Sequence, residues 1–239
     1  MRIPNPANLE MVRHVAERLG TLRDSVVFVG GAVVDLLITD PAAPTVRPTT
    51  DVDVIVEVAS LHDYHKLGNL LRSLGFREDS QSEGGPVCRW VIDGIKVDTM
   101  PMQGQVLGFS NDFYAVAVKT AVTKEIAERL EIRLISAPCF LATKIEAFLD
   151  RGRQDFMSSH DLEDVIAVLD GRPEIIDEIE NSSLELRSFL AKIFQDFLQE
   201  EDFMDAVPAL LPPDEASQKR VSIVIQRIES IASSISETA

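Results

Sequence analysis

Residues 25–58 are SVVFVGGAVVDLLITDPAAPTVRPTTDVDVIVEV, and the fold turns on how this stretch divides. Val26, Val27, Phe28 and Val29 form a short unbroken apolar run that stops at Gly30-Gly31, the pattern of a strand buried on both faces. From Ala32 to Ile38 the apolar residues resume at helical spacing. The glycine pair is therefore expected to turn the backbone from strand into a short helix, leaving N–H groups suited to an anion. Pro41, Pro44 and Pro48 make the next segment a stiff, irregular loop. Thr50 to Val56 then alternates. Successive strand residues point to opposite faces, which puts Asp51 and Asp53 on one side and Val52, Val54 and Val56 on the other. Two carboxylates beside an anion-ready turn suit a divalent ion carrying a nucleotide. Mg2+ is hard, prefers oxygen ligands, and is commonly held by one or two carboxylates plus substrate phosphates. Taken singly, Gly-Gly is commonly just a turn, and Asp-x-Asp is commonly the solvated face of an edge strand. Their order and spacing together carry the reading.

Working outward, Pro6 to Leu19 has Leu9, Val12, Val15, Ala16 and Leu19 on one side and predicts a helix packed on the sheet. Ser60 is an expected N-cap for a helix running to about Leu74 and ended by Gly75. His62 and His65 lie on it; with no Glu or Cys nearby to complete a zinc set, they are expected at the surface. Asp93-Gly94 between two alternating runs predicts a two-residue hairpin. In that register Ile92 faces Ile95, Val91 faces Lys96, Trp90 faces Val97 and Arg89 faces Asp98. Trp90, Ile92, Ile95 and Val97 then make an apolar side, and Arg89, Lys96 and Asp98 a polar one. On that polar side Asp98 has an ordinary role open to it, a cross-strand ion pair with Arg89 that would be worth little at the surface. Asn111 to Ala117 is expected as a short helix, and the runs near Lys119 to Ile126 and Ile132 to Ile135 as edge strands.

Beyond Pro138 the pattern is helical only, which places a domain boundary near Ser136, with domains at 1–136 and 137–239. In the segment LATKIEAFLDRGRQDF, Lys144 and Arg151 are seven residues apart and so share a helix face, where both cations can converge on one anion. In SSHDLEDVIAVL, Asp161 and Asp164 again share a face. From Glu174 onward there are 14 acidic residues against 5 basic ones, on two expected long helices around Leu184 to Phe203 and Asp214 to Ile231. Those helices either pack on the rest or present an acidic face to a partner.

At 239 residues the chain can bury a good core, as one large domain or two small ones. Its formal charge of −16 argues against broad, sequence-independent nucleic-acid binding, DNA included, because that requires a basic footprint. The two cysteines, Cys88 and Cys139, are too few for a disulfide framework and are expected as buried hydrophobes in a reducing compartment. The N-terminus has no apolar signal core, and no run of about eighteen apolar residues occurs. A soluble, cytoplasmic protein without membrane contact is the expectation.

The ordered set of an apolar strand, Gly-Gly, and Asp-x-Asp resembles the nucleotidyltransferase superfamily built on the DNA polymerase beta palm. That resemblance implies a third carboxylate on a later strand, for which Asp98 is the candidate. GGAVVDLL also looks like the opening of the tRNA CCA-adding enzymes. However, Val34 stands where their Arg would follow Val33, and there is no later Arg-Arg-Asp segment. K-x-x-A-x-x-x-R at Lys144, Ala147 and Arg151, followed by Asp161 and Asp164, is similar to the AbiEii-type nucleotidyltransferase toxins, over about Val26 to Leu169. Two positions depart from that pattern: Ala32 replaces the Ser or Thr after the glycines, and His160 replaces the basic residue before Asp161.

The resemblance implies an α/β (α+β) protein: a polymerase-beta-like palm with a small mixed sheet, then a helical C-terminal domain, with the active cleft between them. It implies transfer of an NMP from an NTP to an acceptor, RNA or protein, with an antitoxin as partner if the chain is the toxin of a pair. Asp51, Asp53 and Asp98 would hold Mg2+ or Mn2+, and Asp98 would also be the candidate general base. Gly30 and Gly31 would admit the phosphates. Lys144, with Arg47 and Arg151, would neutralise the leaving pyrophosphate, and Asp161 or Asp164 would complete the pocket. On this reading neither Lys144 nor Arg151 needs to be buried. Two alternatives stand beside it: a small-molecule, aminoglycoside-type nucleotidyltransferase, which the acidic surface suits, and a catalytically inactive palm acting as a binding protein.

Overall fold

A computed structural model describes residues 5–79, 88–104, 106–108, 111–150 and 155–234. The chain runs α1 (Pro6–Leu19), β1 (Val26–Val29), α2 (Val34–Leu37), β2 (Asp51–Val56), α3 (Leu61–Ser73), β3 (Arg77–Glu78), β4 (Arg89–Ile92), β5 (Ile95–Pro101), α4 (Tyr114–Lys119), β6 (Val122–Ala127) and β7 (Leu130–Leu134). It continues through α5 (Ala137–Asp150), α6 (His160–Gly171), α7 (Ile175–Glu180), α8 (Leu184–Phe197), α9 (Glu201–Ala209), α10 (Glu215–Gln218) and α11 (Val221–Ser233). Among the described residues no helix is long and apolar enough to cross a membrane.

The molecule divides into two compact units. Pro4–Asp35 with Arg47–Ser136 makes the sheet unit, and Leu36–Val46 with Ala137–Ala239 makes the helical unit. The later break between the units falls after Ser136, while residues 36–46, most of the proline-rich loop, belong to the helical unit.

Among the described residues of the sheet unit seven strands lie in the order β3-β4-β5-β2-β1-β7-β6. The sheet is mixed: β1 runs parallel to β7 and β2 parallel to β5, and the other neighbours are antiparallel. β1 sits between β2 and β7 and all four of its residues are buried, which is why Val26–Val29 shows no alternation. β2 alternates instead, with Val52 and Val54 buried and Asp51 and Asp53 partly exposed. The hairpin forms in the expected register: Arg89↔Asp98, Trp90↔Val97, Val91↔Lys96 and Ile92↔Ile95. Its turn residues Asp93 and Gly94 both have positive φ, 49° and 85°, as a primed two-residue turn requires. α3, capped by Ser60, covers the apolar side: Tyr64 Oη lies 2.9 Å from Thr99 Oγ1, and a methyl on Gly68 would touch Trp90 at 3.4 Å. The face opposite is the one that carries the carboxylates.

Several local expectations shift. The short helix expected at Asn111–Ala117 starts at Tyr114, behind an Asn111 side chain that accepts the Phe113 N–H. β6 is an edge strand, exposed and charged at Lys124 and Glu125, but β7 is internal because it pairs with β1 as well. His62 and His65 are exposed, and Cys88 and Cys139 are buried free thiols.

In the helical unit the two long C-terminal helices are each broken in two, between α8 and α9 and between α10 and α11. The second break falls at Arg220, whose guanidinium is held by Asp40 Oδ2 at 2.5 Å and Asp170 Oδ1 at 2.7 Å. Thr39 and Asp40 donate their N–H groups to Gly171 O, both at 2.9 Å, and a methyl on Gly171 would lie 2.6 Å from Ile38. Arg227 donates to the carbonyls of Leu169 and Asp170. Segment 36–46 and two arginines therefore satisfy the carbonyl end of α6, groups that a helix leaves without internal partners. Phe148, Phe156, Phe197 and Phe203 form an aromatic cluster with ring centroids 4.9–6.0 Å apart.

Candidate active site

The sheet unit brings Asp51, Asp53 and Asp98 to one face. β2 and β5 are parallel neighbours with Asp53 opposite Asp98, and Asp51 lies two residues earlier on the same side. Beside Asp53, β1 ends at Val29, its register partner, and the chain enters the Gly30-Gly31 turn. Gly30 has φ 73° and ψ −170°, a region open essentially to glycine alone. It also has no room for a side chain, since a Cβ there would lie 1.8 Å from Asp53 Oδ2. The space beside Gly30 is thus filled by the Asp53 carboxylate. Asp53 therefore makes a close approach to Gly30 on the side where a side chain would project.

The other two carboxylates face Arg89. Its Nε donates to Asp98 Oδ1 at 2.7 Å and its Nη2 to Asp98 Oδ2 at 2.6 Å, a two-point fork on one carboxylate. The same Nη2 reaches Asp51 Oδ2 at 3.2 Å, while Thr49 Oγ1 donates to Asp51 Oδ1 at 3.0 Å. The guanidinium so ties three strands together. The Arg89–Asp98 pair forms, and it is not a surface pair: the side chains are 17% and 10% exposed. Hydrogen bonding to Asp98 raises the Arg89 pKa against the opposing effect of burial, with the charges of Asp98, Asp51 and Asp53 adding to the rise. Burial, then the charges of Asp98 and Asp53, pushes the neighbouring Cys88 thiol up to about 12, so it is inert as a nucleophile at neutral pH. Both oxygens of Asp98 thus face Arg89.

The donor chemistry of three carboxylates fits a hard divalent cation. The arrangement does not yet present it: among the described residues no group of three His, Cys, Asp or Glu side chains could hold a metal ion. Asp51 and Asp98 engage Arg89, and Asp53 lies against Gly30, so the oxygens are turned to partners within the chain.

Arg47 contributes its backbone carbonyl to the Asn8 side chain at 2.9 Å, and Asn8 Oδ1 accepts the Thr49 N–H at 3.0 Å. Asn8 is fully buried and fixes the segment leading into Asp51. The sequence reading passed over it. Its signal was position: Asn8 lies four residues before Val12 on the stripe that Val12, Val15, Ala16 and Leu19 bury, and a polar residue there needs partners.

In the helical unit Lys144 on α5 meets Asp161 and Asp164 of α6. Its Nζ lies 3.1 Å from Asp161 Oδ1 and 2.7 Å from Asp164 Oδ2. The three side chains are 13%, 5% and 3% exposed, so Lys144 is a largely buried group and the expectation that it needs no burial is corrected. Ser159 caps α6 by accepting the Leu162 N–H, and the first-turn acid Asp161 suits the positive end of that helix. Arg151 lies outside the described residues.

Family models and curated proteins yield no match to the chain. Among solved structures it is similar to an antigenic nucleotidyltransferase-like protein from Paracoccidioides brasiliensis, with 23% identity and a TM-score of 0.50, over 87% of this chain and 95% of that one. The fold is nucleotidyltransferase-like. At that identity the likeness extends to the fold, and what the carboxylate face does has to come from its own residues.

Proposed function

We propose that the chain is a nucleotidyltransferase, moving a nucleoside monophosphate from an NTP to an acceptor, with Asp51, Asp53 and Asp98 as the metal-holding carboxylates. The observation that supports it is the register Asp53↔Asp98, which puts three carboxylates on one face of a nucleotidyltransferase-like sheet beside a glycine turn that has no room for a side chain. A divalent ion held there, Mg2+ or Mn2+, would polarise the phosphates and favour the ionised acceptor hydroxyl. In the transfer the acceptor hydroxyl loses its proton to solvent, its oxygen bonds to the α-phosphorus, the bond from that phosphorus to the bridging oxygen breaks, and pyrophosphate leaves with that bond's electron pair. The chain's own part is positional: β2 and β5 fix the spacing of the carboxylates, and Asn8 and Thr49 hold the approach to Asp51. Lys144 and Asp161 with Asp164 carry the resemblance to AbiEii-type toxins, on which the acceptor is RNA or protein and an antitoxin is a partner. A phosphate role for Lys144 would require it to give up its buried carboxylates.

The second reading, an inactive palm that binds rather than transfers, is favoured by the engagement of Asp51 and Asp98 with Arg89. Incubation with α-labelled NTPs, Mg2+ or Mn2+ and cellular RNA or lysate separates the two. Transfer of label by the parent and none by Asp53→Asn is the expected result. NTP binding that persists in excess EDTA, with no label transferred, refutes the transferase and leaves the binding protein.

A further inference from the structure

We propose that Arg89 is an exchangeable counter-ion of the carboxylate face, holding Asp98 and Asp51 until a divalent cation takes its place. The inference rests on the nucleotidyltransferase reading and assigns to that site a residue that controls its loading. Its ground is the position of one atom. Nη2 of Arg89 lies 2.6 Å from Asp98 Oδ2 and 3.2 Å from Asp51 Oδ2, the place from which a bridging cation would contact both carboxylates.

A guanidinium and a small divalent ion cannot share that position. Mg2+ binds carboxylate oxygen at about 2.1 Å, so the oxygens must close in on the ion and the bulkier planar fork must withdraw. Both oxygens of Asp98 accept from Arg89, and of Asp51 only Oδ1 turns elsewhere, to Thr49. Binding without exchange would leave the ion little but Asp53. Exchange by loss of a proton is closed to Arg89, since arginine stays charged at any working pH. Competition between two cations for the same oxygens remains. The Arg89 side chain is 17% exposed, so it is not sealed within the sheet.

The fork also answers the acidity of this face. Three carboxylates gathered on one side of a sheet repel one another, and the guanidinium supplies the missing charge at short range. The consequence is that the apparent affinity for a divalent ion is lowered by the strength of the arginine fork.

Mn2+ titration of the full chain, followed by the electron paramagnetic resonance of the free ion, tests this with the parent, Arg89→Gln and Asp53→Asn and no nucleotide present. Arg89→Gln is expected to bind Mn2+ about tenfold tighter than the parent, as befits the loss of one charge-assisted fork as competitor. An affinity equal to or weaker than the parent's overturns the proposal. Should Arg89→Gln fail to fold, the parent itself carries the test. In chain labelled with 15N-arginine, the Nε–H resonance that disappears in Arg89→Lys belongs to Arg89, and saturating Mg2+ should move it. Mg2+ binding that leaves it unmoved overturns the proposal as well. The reading beneath it fails differently: if Asp53→Asn binds Mn2+ as the parent does, the ion is not on this face. If neither parent nor Arg89→Gln binds Mn2+, both the exchange and the metal site are wrong.

Discussion

Replacing Lys144 by methionine should cost the helical unit about 3 kcal/mol, the low end of the range for removing one partner of a buried ion pair. The figure follows from what is left behind. Asp161 and Asp164 are 5% and 3% exposed and accept from Nζ at 3.1 and 2.7 Å, and methionine keeps the apolar stem while removing the charge. The low end applies because the lysine itself is 13% exposed and water can reach part of the vacated position. The stem runs near Phe140, whose ring centroid is 5.9 Å from Nζ, so little apolar packing should change. Urea unfolding followed by far-UV circular dichroism reads the loss. With an m value of about 3 kcal/mol per molar, the transition of the helical unit should fall by about 1 M. Adding Asp161→Asn and Asp164→Asn to Lys144→Met should recover much of the loss, because amides in place of the carboxylates carry no charge to be compensated. A Lys144→Met variant within about 0.5 kcal/mol of the parent would refute the structural role, since that is the range of surface substitutions. The lysine would then be free to serve phosphate, as its place in the K-x-x-A-x-x-x-R pattern suggests.

Two further expectations can be checked by unfolding alone. Gly30→Ala should destabilise by more than about 2 kcal/mol, because it adds a methyl 1.8 Å from Asp53 Oδ2 at a φ of 73°; Gly30→Ala with Asp53→Ala should recover only part, the backbone strain remaining. Equal melting of Gly30→Ala and parent would show that the turn is not built this way. At acid pH, burial pushes the Asp40 carboxyl up, but the Arg220 hydrogen bond, the Ala42 N–H and the charges of Arg220 and Arg227 outweigh it, so its pKa lies below the ordinary 3.8. Its contribution is therefore present above that value and lost as pH falls below it, whereas Asp170, raised by burial against its bond to Arg220, contributes with the opposite sign. Asp40→Asn should accordingly lose less stability between pH 5 and pH 3 than the parent, in urea melts at each pH; equal losses would remove Asp40 from the acid response.

How much of this was legible in the sequence varies with the range of the interaction. The hairpin at Asp93-Gly94 came out residue for residue, because a two-residue turn and a period of two leave one register that buries Trp90 and Ile92. The α1 and α3 bounds were legible from local signals too: apolar spacing marks Pro6 to Leu19, and Ser60 caps the second helix, whereas the Asn5 cap of the first was not read. Segment 36–46 was not. Its prolines announce an irregular loop, but its attachment to the end of α6 depends on Arg220, which reaches Asp40 across 180 positions of chain, and no spacing rule spans that distance. The breaks after α8 and before α11 were missed because apolar periodicity continues across them; an anchored arginine at the second is a tertiary fact.

The carboxylate face lies between these cases. Alternation and register are backbone properties, and they are enough to place Asp51, Asp53, Asp98 and Arg89 on one side of the sheet. They leave open which cation the carboxylates choose. That choice rests on torsions beyond Cβ: an arginine opposite Asp98 can point to solvent, or fold inward and meet two carboxylates with one nitrogen, as it does here. Two of the three carboxylates that suggest a metal site in the sequence, Asp51 and Asp98, are thus also the two that pair with Arg89. The difference between an enzyme centre and a structural ion-pair network on this fold comes down to whether Arg89 yields, which is a matter of competing affinities rather than of residue identity.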